Sequence, residues 1–116
     1  MGSLQEAIRK KAKEFGFAKI GVSRAERLDE RNGLDEWLAA GHHGEMHWMG
    51  RNADKRLDPR MLLSEAQSVV SLAANYYTPQ SHSEDHRHGK ISRYAWGRDY
   101  HAVLKERLKL LVAWIE

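Results

Sequence analysis

Apolar residues recur along this chain in two rhythms, and each rhythm predicts an element. Leu4, Ile8, Ala12 and Phe15 fall at helical spacing behind Ser3-Leu4-Gln5-Glu6. That tetrapeptide reads as a capping box, in which serine and glutamate each satisfy the other's backbone N–H. Gly16 offers the C-terminal stop. Residues 17–23 are short and β-rich, which predicts a strand packed against that helix. Leu34, Trp37 and Leu38 share one face of a second helix, with Asp29 or Asn32 as its cap and Gly41 as its end. Residues 41–50 read as a loop with at most a helical turn, and residues 51–60 as a polar stretch holding Pro59. Beyond Ser64-Glu65-Ala66, residues 68–74 predict a buried strand. Residues 80–88 contain no apolar side chain and predict an exposed loop. From Asp99 onward Leu104, Leu108, Leu111 and Ile115 form the stripe of a helix packed on the sheet.

The order is helix-strand-helix-loop-strand-loop-helix, an α/β (α+β) arrangement in which an incomplete sheet is layered with helices. Two strands alone are at best marginally stable. With no internal repeat and no Gly/Ser linker, the pattern predicts the amino-terminal portion of a larger α/β protein. At 116 residues, 41% hydrophobic and 30% charged, the chain is one domain or a piece of one, with enough apolar surface for a core. Nineteen basic and sixteen acidic side chains leave a net charge of only +3, which excludes a polycationic protein. The balance breaks between residues 87 and 98, where Arg87, Lys90, Arg93 and Arg98 meet no acid before Asp99. A phosphate-bearing partner would suit that stretch. Without cysteine, no disulfide, thiol nucleophile or iron–sulfur ligand can arise from these residues. No apolar run approaches the roughly 18 residues of a membrane span, and the amino terminus lacks a signal-peptide core, so the cytoplasm is the expected compartment, without membrane contact.

The densest chemistry lies in residues 89–101, which mix cations, flat rings, two glycines and a histidine at the entrance of the last helix. Ser92-Arg93-Tyr94-Ala95-Trp96-Gly97-Arg98-Asp99-Tyr100-His101 is the most specific of several segments that together resemble the amino-terminal region of epoxyqueuosine reductase. The others are Phe15 through Val22, Gly44-Glu45-Met46-His47-Trp48-Met49, Arg56-Leu57-Asp58-Pro59-Arg60-Met61-Leu62-Leu63 and Ser68-Val69-Val70-Ser71-Leu72. One departure is Ser64-Glu65, where that family usually carries a Pro-Gly turn.

The resemblance implies an oxidoreductase of queuosine biosynthesis that reduces epoxyqueuosine to queuosine at the tRNA wobble position, with an electron donor, as a monomer. It implies cobalamin and two [4Fe-4S] clusters, with electrons passing through the clusters to the cobalt and an aspartate protonating the leaving oxygen. The cluster cysteines belong to a ferredoxin-like part and the aspartate to a segment past Glu116, so residues 1–116 correspond to the amino-terminal part of a cobalamin-binding catalytic domain and alone should not turn over.

Within this chain the resemblance places Arg56 and Ser92 against cobalamin, with Arg93 beside them. A guanidinium can donate paired hydrogen bonds to amide or phosphate oxygens. A solvated arginine and a strand-edge serine are the plain alternatives. Lys90 and Arg98, with Arg93, could hold tRNA phosphates, although Arg98 could equally pair with Asp99 on the surface. Tyr94 and Trp96 could stack on a base or the corrin edge, or simply pack in the core. Tyr100 and His101 are the possible proton-handling pair, with Asp99 as a helix cap. No metal site is expected of His42, His43 and His47, because Gly44 interrupts the helix that His43 and His47 would need, nor of His82, His86 and His88 in their polar loop. Two rival readings are a non-catalytic RNA-binding module built on the same basic and aromatic residues, and an inactive remnant.

Overall fold

Ser3 opens the first helix, α1 (Leu4–Glu14): its hydroxyl accepts from the Glu6 N–H while the Glu6 carboxylate accepts from the Ser3 N–H, closing the capping box. In the computed structural model, which describes residues 2–29 and 33–116, α1 ends in a Schellman motif. The Gly16 N–H reaches the Lys13 carbonyl, and the Phe17 N–H reaches that of Ala12. Gly16 sits at φ +90°, in the left-handed region that side chains avoid. The turn directs the chain into β1 (Lys19–Arg24), which pairs with β2 (Ser68–Ala73) as a two-stranded sheet. The Ala18 N–H donates to Ala73 O at 2.7 Å and the Ala25 N–H to Gln67 O at 3.0 Å, so the strands run antiparallel.

The chain divides into two units. The first joins the residues up to Gly21 with Leu72–Glu116, and the second is Val22–Ser71. In the first unit the last helix, α5 (Tyr100–Ile115), packs on α1. Ala12, Phe17 and Leu111 are buried together, with Phe15, Ile20, Leu72, Ala74 and Leu104 packed around them. Burying a side chain the size of Phe17 or Leu111 stabilises by roughly 1.5–3 kcal/mol. The expected stripe of α5 is covered only in part, because Leu108 and Ile115 remain 42% and 47% exposed.

In the second unit, α2 (Leu34–Ala39) half-buries Leu34, Trp37 and Leu38 as their spacing predicts, and Gly41 ends it at φ +71°. The residue at its N-cap is Gly33 rather than Asp29, and the other candidate cap, Asn32, lies outside the described residues. The expected polar stretch at residues 51–60 is instead mostly helical. It holds the end of α3 (Trp48–Arg51), then α4 (Ala53–Leu57) and a 3₁₀ turn at Pro59–Met61. Asp58 caps that last turn through the Arg60 N–H and grips the Arg60 guanidinium with both carboxylate oxygens. Ser64 and Glu65, where the resemblance expects Pro-Gly, form the centre of a turn closed by the Ala66 N–H on Leu63 O.

The strand at residues 68–74 is not buried as expected. Only Val69 and Leu72 within β2 are half-covered, and its other residues are exposed. Within residues 68–74 Leu72 and Ala74 pack on the core of the first unit, while Val70 is 37% exposed. Residues 80–88 form a loop that is exposed for the most part, with His82 and Asp85 half-buried.

Candidate functional site

The C-terminal end of β2, the turn at Arg93–Ala95 and the first turns of α5 enclose a cleft of about 420 Å³ in the first unit. Ala74, Asn75 and Tyr76 line one wall, Arg93, Tyr94, Trp96 and Arg98 the second, and Tyr100, Val103, Leu104 and Arg107 the third. Ser92 leads the turn at φ −57° and ψ 140°, is exposed, and its side chain makes no capping bond. Gly97, at φ +75°, reverses the chain so that Asp99 can start α5.

Aromatic rings form a ladder along the opening. Tyr76 meets Tyr94 edge-on at 6.4 Å, Tyr94 meets Tyr100 at 6.0 Å, and Tyr100 stacks on His101 at 4.0 Å. Tyr94 is 52% exposed, so the core role open to it in sequence is not the one it takes, whereas Trp96 is half-buried.

The cations divide by how firmly they are held. Arg93 lies over the Tyr77 and Trp96 rings at 5.5 and 5.8 Å and donates from Nη2 to Gln80 O at 3.2 Å, while its buried Nε has no partner. Arg98 pairs with Glu106 at 3.4 Å rather than with Asp99, and both side chains are largely exposed. Arg107 donates from Nη1 to Gly16 O at 3.2 Å. Lys90 is exposed just ahead of the turn.

Asp99 caps α5, accepting from the His101 N–H at 2.9 Å and facing His101 Nδ1 at 2.8 Å. A carboxylate only accepts, so Nδ1 carries the proton of this bond and Nε2 is the acceptor nitrogen of the neutral ring. The backbone N–H of His101, and then its ring, hold the Asp99 carboxyl below the usual aspartate range.

Arg56 belongs to the second unit, where its guanidinium lies 5.1 Å from the centre of the exposed Trp48 ring. His43 packs against Trp37 and His47 in a turn, not on a helix. Among the described residues no three His, Cys, Asp or Glu come together to hold a metal, and no helix is long and apolar enough to cross a membrane.

Sequence reading did not single out Tyr76, Asn75 or Arg107, and weighed His82 only as a metal ligand. Arg107 follows Leu104 by three residues, so its place on the covered face of α5 was the available signal.

The exposed Ser92 hydroxyl in the first unit and the Arg56 guanidinium in the second are each, taken separately, groups able to hydrogen-bond the amide or phosphate oxygens that fringe a corrinoid. Iron–sulfur clusters do not fit these residues, which include no cysteine.

Residues 56–116 match the family model described as epoxyqueuosine reductase QueG, DUF1730. The epoxyqueuosine reductase of Atelocyanobacterium thalassa is 42% identical over 99% of this chain, which spans 38% of that protein. The structure of epoxyqueuosine reductase from Streptococcus thermophilus superposes with a TM-score of 0.73 at 32% identity, over 97% of this chain and 31% of that one. A crystal structure of epoxyqueuosine reductase with an epoxyqueuosine-modified tRNA-Tyr stem loop matches at a TM-score of 0.69 and 28% identity, again over 97% and 31%. The chain thus spans about a third of the length of the proteins it matches.

Proposed function

We propose that this chain, which belongs to the epoxyqueuosine reductase family, forms the cobalamin- and tRNA-contacting front part of an enzyme that reduces epoxyqueuosine to queuosine. In that reaction two electrons and two protons convert an epoxide into an alkene, and the oxygen leaves as water. Cobalamin supplies the reducing metal centre when bound. The clusters that would feed it need thiolates from outside these residues. The substrate is the modified wobble nucleoside of tRNA, and the setting is the cytoplasm.

The observation that carries this reading is the cleft itself. Its exposed Tyr76, Tyr94 and Tyr100 offer ring faces and edges to unstacked bases, as single-stranded RNA recognition requires. Among the described residues Arg98 is held by one long, solvated ion pair with Glu106, which a phosphate can replace at small cost. Lys90 adds a second exposed cation, and Arg93 extends the basic wall. At the mouth, Asp99 holds His101 in one tautomer beside the Tyr100 phenol, which makes this pair the candidate to accept or pass a proton. In the first unit Ser92 is the candidate for a hydrogen bond to the cofactor's polar fringe, and in the second unit Arg56 is, each by its own chemistry.

The test is fluorescence anisotropy with an epoxyqueuosine-bearing anticodon stem loop, titrated with this chain between 50 and 200 mM salt. Replacing Arg93 and Arg98 together by Ala should lower the log–log salt slope by about 1.4, at roughly 0.7 per phosphate contact on single-stranded RNA. An unchanged slope would remove the phosphate-binding role of the cleft.

A further inference from the structure

Two side chains from opposite sides of the motif donate to one backbone oxygen. His82 Nε2 lies 2.7 Å from Ile91 O, and Trp96 Nε1 lies 2.9 Å from the same atom. The carbonyl can only accept, so His82 presents Nε2–H, as its neutral Nε2 tautomer or as the cation. The two rings also meet edge-on at 5.0 Å. A third bond, from Arg93 Nη2 to Gln80 O, ties the same loop to the same turn.

The oxygen of Ile91 belongs to the peptide unit that carries the Ser92 N–H. Using both of its lone pairs fixes the plane of that peptide, and with it the direction from which the chain enters Ser92. Ser92 is where the 3₁₀ turn of the motif begins, at φ −57° and ψ 140°. His82 is half-buried, although it stands in a loop whose other residues are nearly all exposed and polar. A histidine that merely solvates a loop would have no reason to be covered and bonded across nine residues.

We propose that His82 is a positioning residue: with Trp96 it clamps the Ile91–Ser92 peptide and so aims the Ser92 hydroxyl at the cofactor. The statement about the cofactor rests on the reading of Ser92 given above; the clamp itself does not.

The experiment compares His82→Phe, which keeps a ring and loses the donor, with His82→Gln, which keeps a donor. Hydrogen exchange of the Trp96 indole N–H and of the Ala95 and Trp96 amides is followed by NMR in the 116-residue chain. The Phe variant should speed these by about three- to tenfold, the range expected for one lost hydrogen bond, and the Gln variant should restore most of the protection. Hydroxocobalamin affinity, read from its visible spectrum, should fall by a similar factor in the Phe variant and show no further fall when Ser92→Ala is added. Should His82→Phe not fold, Trp96→Phe removes the other donor and is judged on amide exchange in the same way. Unchanged exchange in the Phe variant overturns the clamp. Faster exchange, with an affinity loss that persists undiminished in the Ser92→Ala background, overturns its action through Ser92. If Ser92→Ala alone leaves hydroxocobalamin affinity untouched, the cofactor role of Ser92 fails, and exchange alone decides the clamp.

Discussion

Gly16 joins the two ends of the first unit, and replacing it by Ala tests both the helix stop and the Arg107 contact. At φ +90° an added Cβ is strained by about 1–2 kcal/mol, as for any L-residue in left-handed backbone. It would also stand 3.1 Å from Cζ and Nη1 of Arg107, so the guanidinium must move away from the Gly16 oxygen it holds at 3.2 Å. Losing that bond adds about 0.5–1.5 kcal/mol. The stiffer unfolded chain of the Ala variant offsets about 0.4–1 kcal/mol. The sum is a destabilisation of about 1.8 kcal/mol, or a fall of about 7 °C in Tm for a chain of this size. Urea unfolding followed by circular dichroism measures it. In an Arg107→Ala background the steric part vanishes and only the backbone strain, less the entropy gain, should remain, about 0.8 kcal/mol. A Gly16→Ala cost below about 0.5 kcal/mol would refute the left-handed stop. Equal costs in the two backgrounds, within the roughly 0.3 kcal/mol of ordinary additivity, would refute the clash with Arg107.

Two further outcomes follow from the site. The Asp99 carboxyl is held below its usual range, first by the His101 backbone N–H, so its contribution is present above the unfolded aspartate pKa near 4 and is lost as pH falls through the lower folded value. Protection of the His101 amide, its exchange rate relative to the intrinsic rate at each pH, should therefore be lost in acid as pH falls through the lowered Asp99 pKa, and Asp99→Ala should lack it already at neutral pH; protection that persists once Asp99 is protonated in the parent chain would refute the cap. In the second unit, Trp48→Leu should weaken hydroxocobalamin binding about as much as Arg56→Ala, and Trp48→Phe much less, because an aromatic face holds the guanidinium. Equal loss for Leu and Phe at position 48 would show that the stack does not orient Arg56.

Elements whose signal lies in consecutive residues were legible in the sequence. The capping box, the Gly16 stop, the apolar face of α2 and the start of α5 at Asp99 all follow from local chemistry. The helices between Trp48 and Leu57 were not, since four and five residues are too few to show a 3.6-residue period. Burial of β2 was misjudged because an alternation of Val, Leu and Ser records what a strand can bury, not how much of the fold lies over it. The motif at residues 92–101 declared itself by composition. Its partners did not: Arg107 meets Gly16 across 91 residues and His82 reaches Ile91 out of a polar loop, and no local pattern encodes either approach.

The exposure of β2 carries a cost in the test tube. Ser68-Val69-Val70-Ser71-Leu72-Ala73 is six residues without charge or proline, rich in β-formers, the composition from which cross-β stacking starts. Its partner β1 begins at Lys19 and ends at Arg24, cations that repel a like strand, whereas β2 has no such gatekeeper within its length. Concentrated solutions of this chain should therefore self-associate through β2, and a lysine in place of Ser71 should keep them clear.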